Sequence, residues 1–284
     1  MKKKITKNFI KKYWEAIEKK KPPKNVKNIK IIESKNFFNA IDNYSDKSLL
    51  IKKIISNIYS GDALIIKNAI SKKEIDKIKK KLVSFSDKEV SKFFKMNKKC
   101  PNFWRRQDES MAKKYSVKAI RDSYYFFRWN KKEKDIWKTF DEMWGNLKFL
   151  GGLQKNSFIK NVPKDGVIDR VQIVRYPENT GYIEPHFHNP KHQRLIISIY
   201  MSKKGIDYKG GGTCFYKGKK MINIESRIDV GDIGVFYATL KHSVNPVKKT
   251  NNKIRKKFRG RWWCGLYSPE SDLKKNRQTS SPSK

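Results

Sequence analysis

All four histidines of this chain lie in its second half, at positions 186, 188, 192 and 242. Successive side chains of an extended strand alternate faces, so His186 and His188 project to one side and can reach one ion from a single strand end. His242, at the start of a later apolar run, can complete a triangle. Imidazole suits first-row transition metals, and two histidines plus a carboxylate on one face of an octahedron leave the remaining positions open for chemistry. Spacing alone leaves open the alternative that these are ordinary core or surface histidines. Glu184, two residues before His186, and the Asn189 carbonyl are further candidate ligands.

Such a cluster needs strands to hold it. From Asp169 onward the sequence breaks into short β-rich runs separated by Gly, Pro and Asn: Val171–Tyr176, Tyr182–His188, Leu195–Met201, Thr213–Tyr216, Ile233–Tyr237, Ser243–Val247 and Trp262–Tyr267. Seven runs so punctuated predict a sandwich or small barrel.

The first half reads differently. Residues 5–19 place Ile5, Phe9, Ile10, Tyr13, Trp14 and Ile17 at helical spacing before Pro22-Pro23 ends the pattern. Ser48 to Tyr59 is a second helix with Leu50, Ile54 and Ile58 on one face, followed by the strand candidate Ala63–Ile66. Ser71 and Glu74 have capping-box spacing ahead of Ile75, Ile78 and Leu82. Glu133 to Lys148 carries Ile136, Phe140, Trp144 and Leu147 on one stripe. Between Asn102 and Asn130 aromatic and arginine residues crowd together, as in Trp104-Arg105-Arg106 and Tyr124–Trp129. This stretch reads as core and lid packing, with a substrate mouth as the second reading.

The formal net charge of +40 raises the question of an anionic partner such as nucleic acid. The excess is lysine spread along the whole chain, however, which reads more simply as a solvated surface. Three cysteines, Cys100, Cys214 and Cys264, make no even framework and no close pair, so a reducing, cytoplasmic setting is expected. The basic N-terminus lacks the unbroken apolar stretch of a signal peptide, and no segment is expected to span a membrane.

Taken in order, several segments resemble the iron(II)/2-oxoglutarate oxygenases of the prolyl-hydroxylase and phytanoyl-hydroxylase kind. They are Arg175-Tyr176, Pro185-His186-Phe187-His188 at the family's H-x-D/E, Leu195–Met201, Gly210-Gly211-Gly212-Thr213-Cys214-Phe215, Val230–Phe236, His242-Ser243-Val244-Asn245-Pro246-Val247, and Gly260-Arg261-Trp262. Their succession is more specific than any one of them. The resemblance implies a mainly β double-stranded β-helix (jelly roll, cupin-like) backed by α-helices. Its expected divisions are a helical extension over 1–60, a helical support and lid over 61–160, the catalytic β-helix over 161–272, and a disordered tail over 273–284.

The resemblance further implies metal ligation by His186, His188 and His242, with Glu184 the alternative ligand. It assigns the 2-oxoglutarate carboxylate to Arg261 with help from Tyr176, Arg259 and Arg255 being alternatives. The implied cofactors are Fe(II), 2-oxoglutarate and O2, with ascorbate a further candidate. The implied activity is hydroxylation of a small-molecule or peptidyl C–H bond, with release of succinate and CO2. Two features depart from the family: position 188 is histidine rather than an acid, and a lysine-rich insertion after Val247 puts Arg261 nineteen residues beyond His242. Two other readings stay open, a non-catalytic cupin-like binding module and a nucleic-acid demethylating oxygenase. Oligomeric state is unspecified.

Overall fold

The computed structural model describes residues 9–130, 132–252, 256–275, 277 and 280–283. Its elements run α1 (Phe9–Ile17), β1 (Ile29–Glu33), α2 (Ser34–Asp42), α3 (Ser48–Tyr59), β2 (Ala63–Lys67), α4 (Lys72–Lys88), β3 (Phe103–Gln107), the single turn α5 (Glu109–Ala112), β4 (Ala119–Phe127) and α6 (Lys134–Leu150). The second half supplies β5 (Arg170–Tyr176), β6 (Tyr182–Phe187), β7 (Leu195–Tyr200), β8 (Gly212–Lys217), β9 (Lys220–Asn223), β10 (Ile233–Tyr237), β11 (His242–Asn245), β12 (Arg261–Tyr267) and β13 (Ser281–Pro282).

The strands form one continuous curled sheet in the order β1-β2-β10-β7-β12-β5-β4-β6-β11-β8-β9, a double-stranded β-helix. A larger face runs from β1 to β4 and a smaller one from β6 to β9. β4 joins them, bonding through Asp122–Phe127 to β5 and through Ala119 and Ile120 to β6. The seven runs expected from the sequence all become strands, and Ala63–Ile66 becomes part of β2. The first half is less helical than expected, since β1 to β4 enlarge the sheet. β7 is buried at every residue because helices cover one face and the barrel interior lies against the other.

The helices stand on the outer face of the larger sheet. Trp14, Ile55, Ile75, Phe140 and Trp144 pack there against Ile173, Ile199 and Trp262. The expected capping box opens α4: the Ser71 hydroxyl accepts from the Glu74 amide at 3.2 Å, and the Glu74 carboxylate accepts from the Ser71 amide at 3.3 Å. Where the chain enters β5, the fully buried Asp169 accepts from Lys148 at 2.7 Å and Arg128 at 2.8 Å, tying α6 to the sheet. Among the described residues no helix is long and apolar enough to cross a membrane.

The tail, expected to be disordered, has described residues in contact with the barrel. Ser281 and Pro282 pair with Phe187 and His186 of β6, and the Ser283 amide donates to the Pro185 carbonyl at 3.1 Å.

Candidate metal centre

β6 and β11 are antiparallel neighbours, and their register sets His186 directly opposite His242. His188 follows one residue after β6, where its amide donates to the Ala238 carbonyl at 2.8 Å. The three rings converge, with centroids 4.3, 5.1 and 5.2 Å apart, and one nitrogen from each lies within 4.8 Å of the others.

Hydrogen bonds decide which nitrogen faces inward. A backbone carbonyl can only accept, so Nδ1 of His186 donates to Glu184 and Nδ1 of His242 donates to Leu240, each at 2.8 Å. That leaves Nε2 of both rings with a free lone pair. Nδ1 of His188 lies 3.1 Å from the Ser280 hydroxyl, and its Nε2 is buried without a hydrogen-bond partner. Three outer nitrogens held and three inner ones free is the pattern of metal-binding imidazoles, whose second nitrogen is normally fixed by the protein. Burial keeps the rings neutral: it lowers the pKa of His242 to about 4, and burial plus the neighbouring imidazoles hold His186 and His188 well below the usual histidine range. Neutral imidazole is the form that ligates.

The other candidates stand elsewhere. The Glu184 carboxylate accepts from the Lys118 amide at 3.2 Å and lies outside the cluster; only its carbonyl serves the site, through His186. A register shift between His242 and Val244 breaks the regular alternation that would have put Glu184 on the same face. His192 pairs with Glu270 at 2.8 Å. Asn189 lines the cavity beside the histidines.

That cavity has a volume of about 430 Å³, within the range of small-molecule sites, and Tyr176 is part of its wall. Arg261 faces the barrel interior but is not part of that wall. It is fully buried against Glu225, donating from Nε at 3.0 Å and from Nη2 at 2.9 Å, and Nη2 also donates to the Thr213 hydroxyl at 2.5 Å. Glu225 further accepts from the Thr213 amide at 2.5 Å and from the Tyr208 hydroxyl. Gly212, at φ +100°, makes room for this carboxylate: a Cβ there would lie 2.0 Å from Glu225 Cγ. Thus the guanidinium expected to take a cosubstrate already holds a carboxylate of the protein itself. Arg259 is absent from the cavity lining, and Arg255 lies outside the described residues.

Four other arginines line the cavity: Arg105 from β3, which donates to the Tyr115 hydroxyl at 2.8 Å, Arg277, which pairs with Asp272, and, with neutral amide partners, Arg121 from β4 and Arg170 from β5. Burial weakens the Arg121 cation, but the phenols of Tyr176, Tyr125 and Tyr267 more than offset this and its pKa is raised. Sequence reasoning missed Arg121 and Arg170. Arg121 sits between the two quoted clusters of the aromatic and arginine stretch, which was the one available signal. Arg170 precedes the expected strand by one residue and carries no signal of its own.

No protein-family model and no curated protein matches the chain. Solved structures do. One is the full-length Neurospora crassa thymine-7-hydroxylase in complex with 2-oxoglutarate (alpha-KG) and thymine, with a TM-score of 0.50 and 11% identity over 85% of this chain and 86% of that one. Its C-terminally truncated apo form gives 0.50 and 11% over 84% and 93%. A Pseudomonas putida prolyl-4-hydroxylase gives 0.48 and 10% over 77% and 97%. At 11% identity and a TM-score of 0.50, the likeness to the thymine-7-hydroxylase speaks for the fold alone. The chain carries the double-stranded β-helix shared with these iron(II)/2-oxoglutarate oxygenases, and where β6 meets β11 it presents three histidines arranged to hold a metal ion.

Proposed function

We propose that the protein is an Fe(II)- and 2-oxoglutarate-dependent oxygenase that hydroxylates a C–H bond of a small-molecule or peptidyl substrate. One observation carries the reading: three neutral imidazoles aim Nε2 atoms without protein partners at a common point in a cavity walled by arginines. The donor set fits a divalent first-row metal. When bound, iron would let O2 act as the oxidant, taking two electrons from 2-oxoglutarate, which would leave as succinate and CO2, and two from the substrate C–H bond.

The residues of this chain do the positioning. His186, His188 and His242 would hold the ion, each steered by its Nδ1 contact. The cosubstrate's far carboxylate fits Arg121 beside Tyr176, because Asp122 pairs with Arg175 across β4 and β5 and so sets Arg121 level with Tyr176. Arg261 stands level with Tyr176 on the other side and is neutralised by Glu225. A planar guanidinium grips a carboxylate through two parallel hydrogen bonds. Phe236, Trp263 and Tyr267 in the wall limit the water around the reacting bond.

Anaerobic titration of the metal-free chain with Fe(II) and 2-oxoglutarate tests the reading through the visible charge-transfer band of a chelated keto acid. The band is expected in the wild type and absent in His186→Ala and His242→Ala. Metal binding without a band would favour a cupin-like binding module.

A further inference from the structure

The cavity holds more positive charge than its proposed occupants remove. A divalent ion on three neutral imidazoles and a dicarboxylate cosubstrate cancel each other, which leaves the guanidinium charges of Arg105, Arg121 and Arg170 over, Arg105 resting on the Tyr115 hydroxyl at 2.8 Å. Arg121 donates from Nε to the Gln107 amide oxygen at 3.3 Å. Arg170 donates from Nη2 to Gln172 at 2.9 Å, rests Nη1 against the Met96 sulfur at 3.7 Å, and has its Nε buried without a partner. These partners are neutral. The carboxylates that reach the cavity are engaged by other groups, Glu270 by Lys191 and His192 and Asp272 by Arg277. A buried cation without a counterion is costly, so such a site is built for an anion that arrives.

Position separates Arg121 from Arg170. Arg170 and Tyr176 stand six residues apart on the inner face of β5, roughly 20 Å of strand. Arg121 is level with the Tyr176 end, so the two side chains enter the cavity from opposite ends of β5, with guanidiniums close enough to repel each other. Arg170 lies 5.4 Å from the Tyr267 ring, which in turn lies tilted against His188 with centroids 5.8 Å apart. The centre is therefore within one ring of Arg170. Burial lowers the Arg170 pKa to about 10, with Arg277 acting in the same direction, so a bound anion would relieve a strained charge. Beside it the wall turns aromatic, with Phe103 stacked on Tyr125 at 4.7 Å and Phe127 adjoining.

We infer that Arg170 anchors the substrate, and that the substrate is a small acid: a carboxylate or phosphate head group on Arg170, with an apolar or aromatic body along Phe103, Tyr125 and Phe127. The inference rests on the oxygenase reading for the reaction, while the anion site itself stands on the cavity's own residues. A volume of about 430 Å³ suits a small molecule.

Calorimetry on the full chain, loaded anaerobically with Fe(II) and 2-oxoglutarate, would compare benzoate, phenyl phosphate and uncharged benzyl alcohol. At least one acid is expected to bind and the alcohol not to, with the two acids telling carboxylate from phosphate. Arg170→Gln should weaken the acid about tenfold or more, the scale of a lost charged hydrogen bond, and leave the keto-acid band unchanged. Arg170→Lys should recover part of the loss. Equal binding of acid and alcohol, no binding of either acid into the millimolar range, unchanged binding in Arg170→Gln, or displacement of the acid by a single-stranded oligonucleotide would overturn the inference. Absence of the band from the wild type would remove the oxygenase reading, and calorimetry on the same chain would still decide whether Arg170 holds the acid.

Discussion

Arg261 and Arg170 face the interior of the same barrel in opposite circumstances. Arg261 is packed against Glu225, Thr213 and Tyr208, its charge balanced by a carboxylate although its Nη1 is buried without a partner. Arg170 has only neutral partners and a buried Nε with none, and His188 likewise ends in a buried Nε2 without a partner. Since an uncompensated charge is expensive to bury, the contrast separates a part of the barrel whose charge the protein balances itself from a part balanced by ligands.

The largest expected effect is in the part that takes ligands. His186→Ala should remove divalent metal binding from the range of calorimetry with zinc, while far-UV circular dichroism stays unchanged. Tight zinc binding by that variant would mean the cluster is not the centre.

In the part that the protein balances itself, Glu225→Ala strands a buried guanidinium. Thermal or urea unfolding should then show a loss of about 3–5 kcal/mol, the cost of breaking rather than replacing a buried pair. An unchanged stability would erase the contrast by showing that Arg261, too, awaits a ligand.

Acid should separate the two parts next. With its folded pKa lowered to about 4, His242 stays neutral in the folded state while the unfolded chain takes up the proton below about 6.5. Stability of the metal-free protein should therefore be full above that value and fall as pH drops from 6.5 to 4, by on the order of 3 kcal/mol from this residue. His242→Gln should flatten that slope if unfolding is followed across the window.

Ser280→Ala removes only the group that steers His188. Zinc affinity should drop about tenfold, the low end for loss of a ligand's outer partner, with no change in fold. The smallest expected effect is the stability of Arg170→Gln, within about 1 kcal/mol of wild type or above it, because no native ion pair is lost. A loss as large as that of Glu225→Ala would show Arg170 to be structural.

The histidine cluster was legible because strand alternation is a local rule, and two residues of spacing suffice to put His186 and His188 on one ion. The capping box at Ser71 and Glu74 was legible for the same reason. Partnerships between distant residues were not. Nothing near Glu225 announces Arg261, thirty-six residues later, and Ser280 reaches His188 from a tail whose composition suggests disorder. Arg121 and Arg170 were hidden by the abundance of basic residues, since only the fold reveals which cations turn inward. The expectation that Arg261 serves the cosubstrate came from its segment's place in the family order. That order locates the strand correctly and is silent about the carboxylate already seated beside it.

The double allegiance of β4, bonded to β5 along most of its length and to β6 at its start, bears on how the chain reaches this state. The two faces cannot join until residue 119 has found residue 183, and β2 must likewise cross more than 160 residues to meet β10. Pairings this remote pay loop-closure entropy before they return any contact, so folding should be slow for a chain of this size. A fragment confined to 161–272 would leave the partner edges of β5, β6 and β10 bare, and bare edges recruit strands from other molecules. The second half is therefore expected to aggregate when made alone, and the first half acts in effect as its intramolecular chaperone.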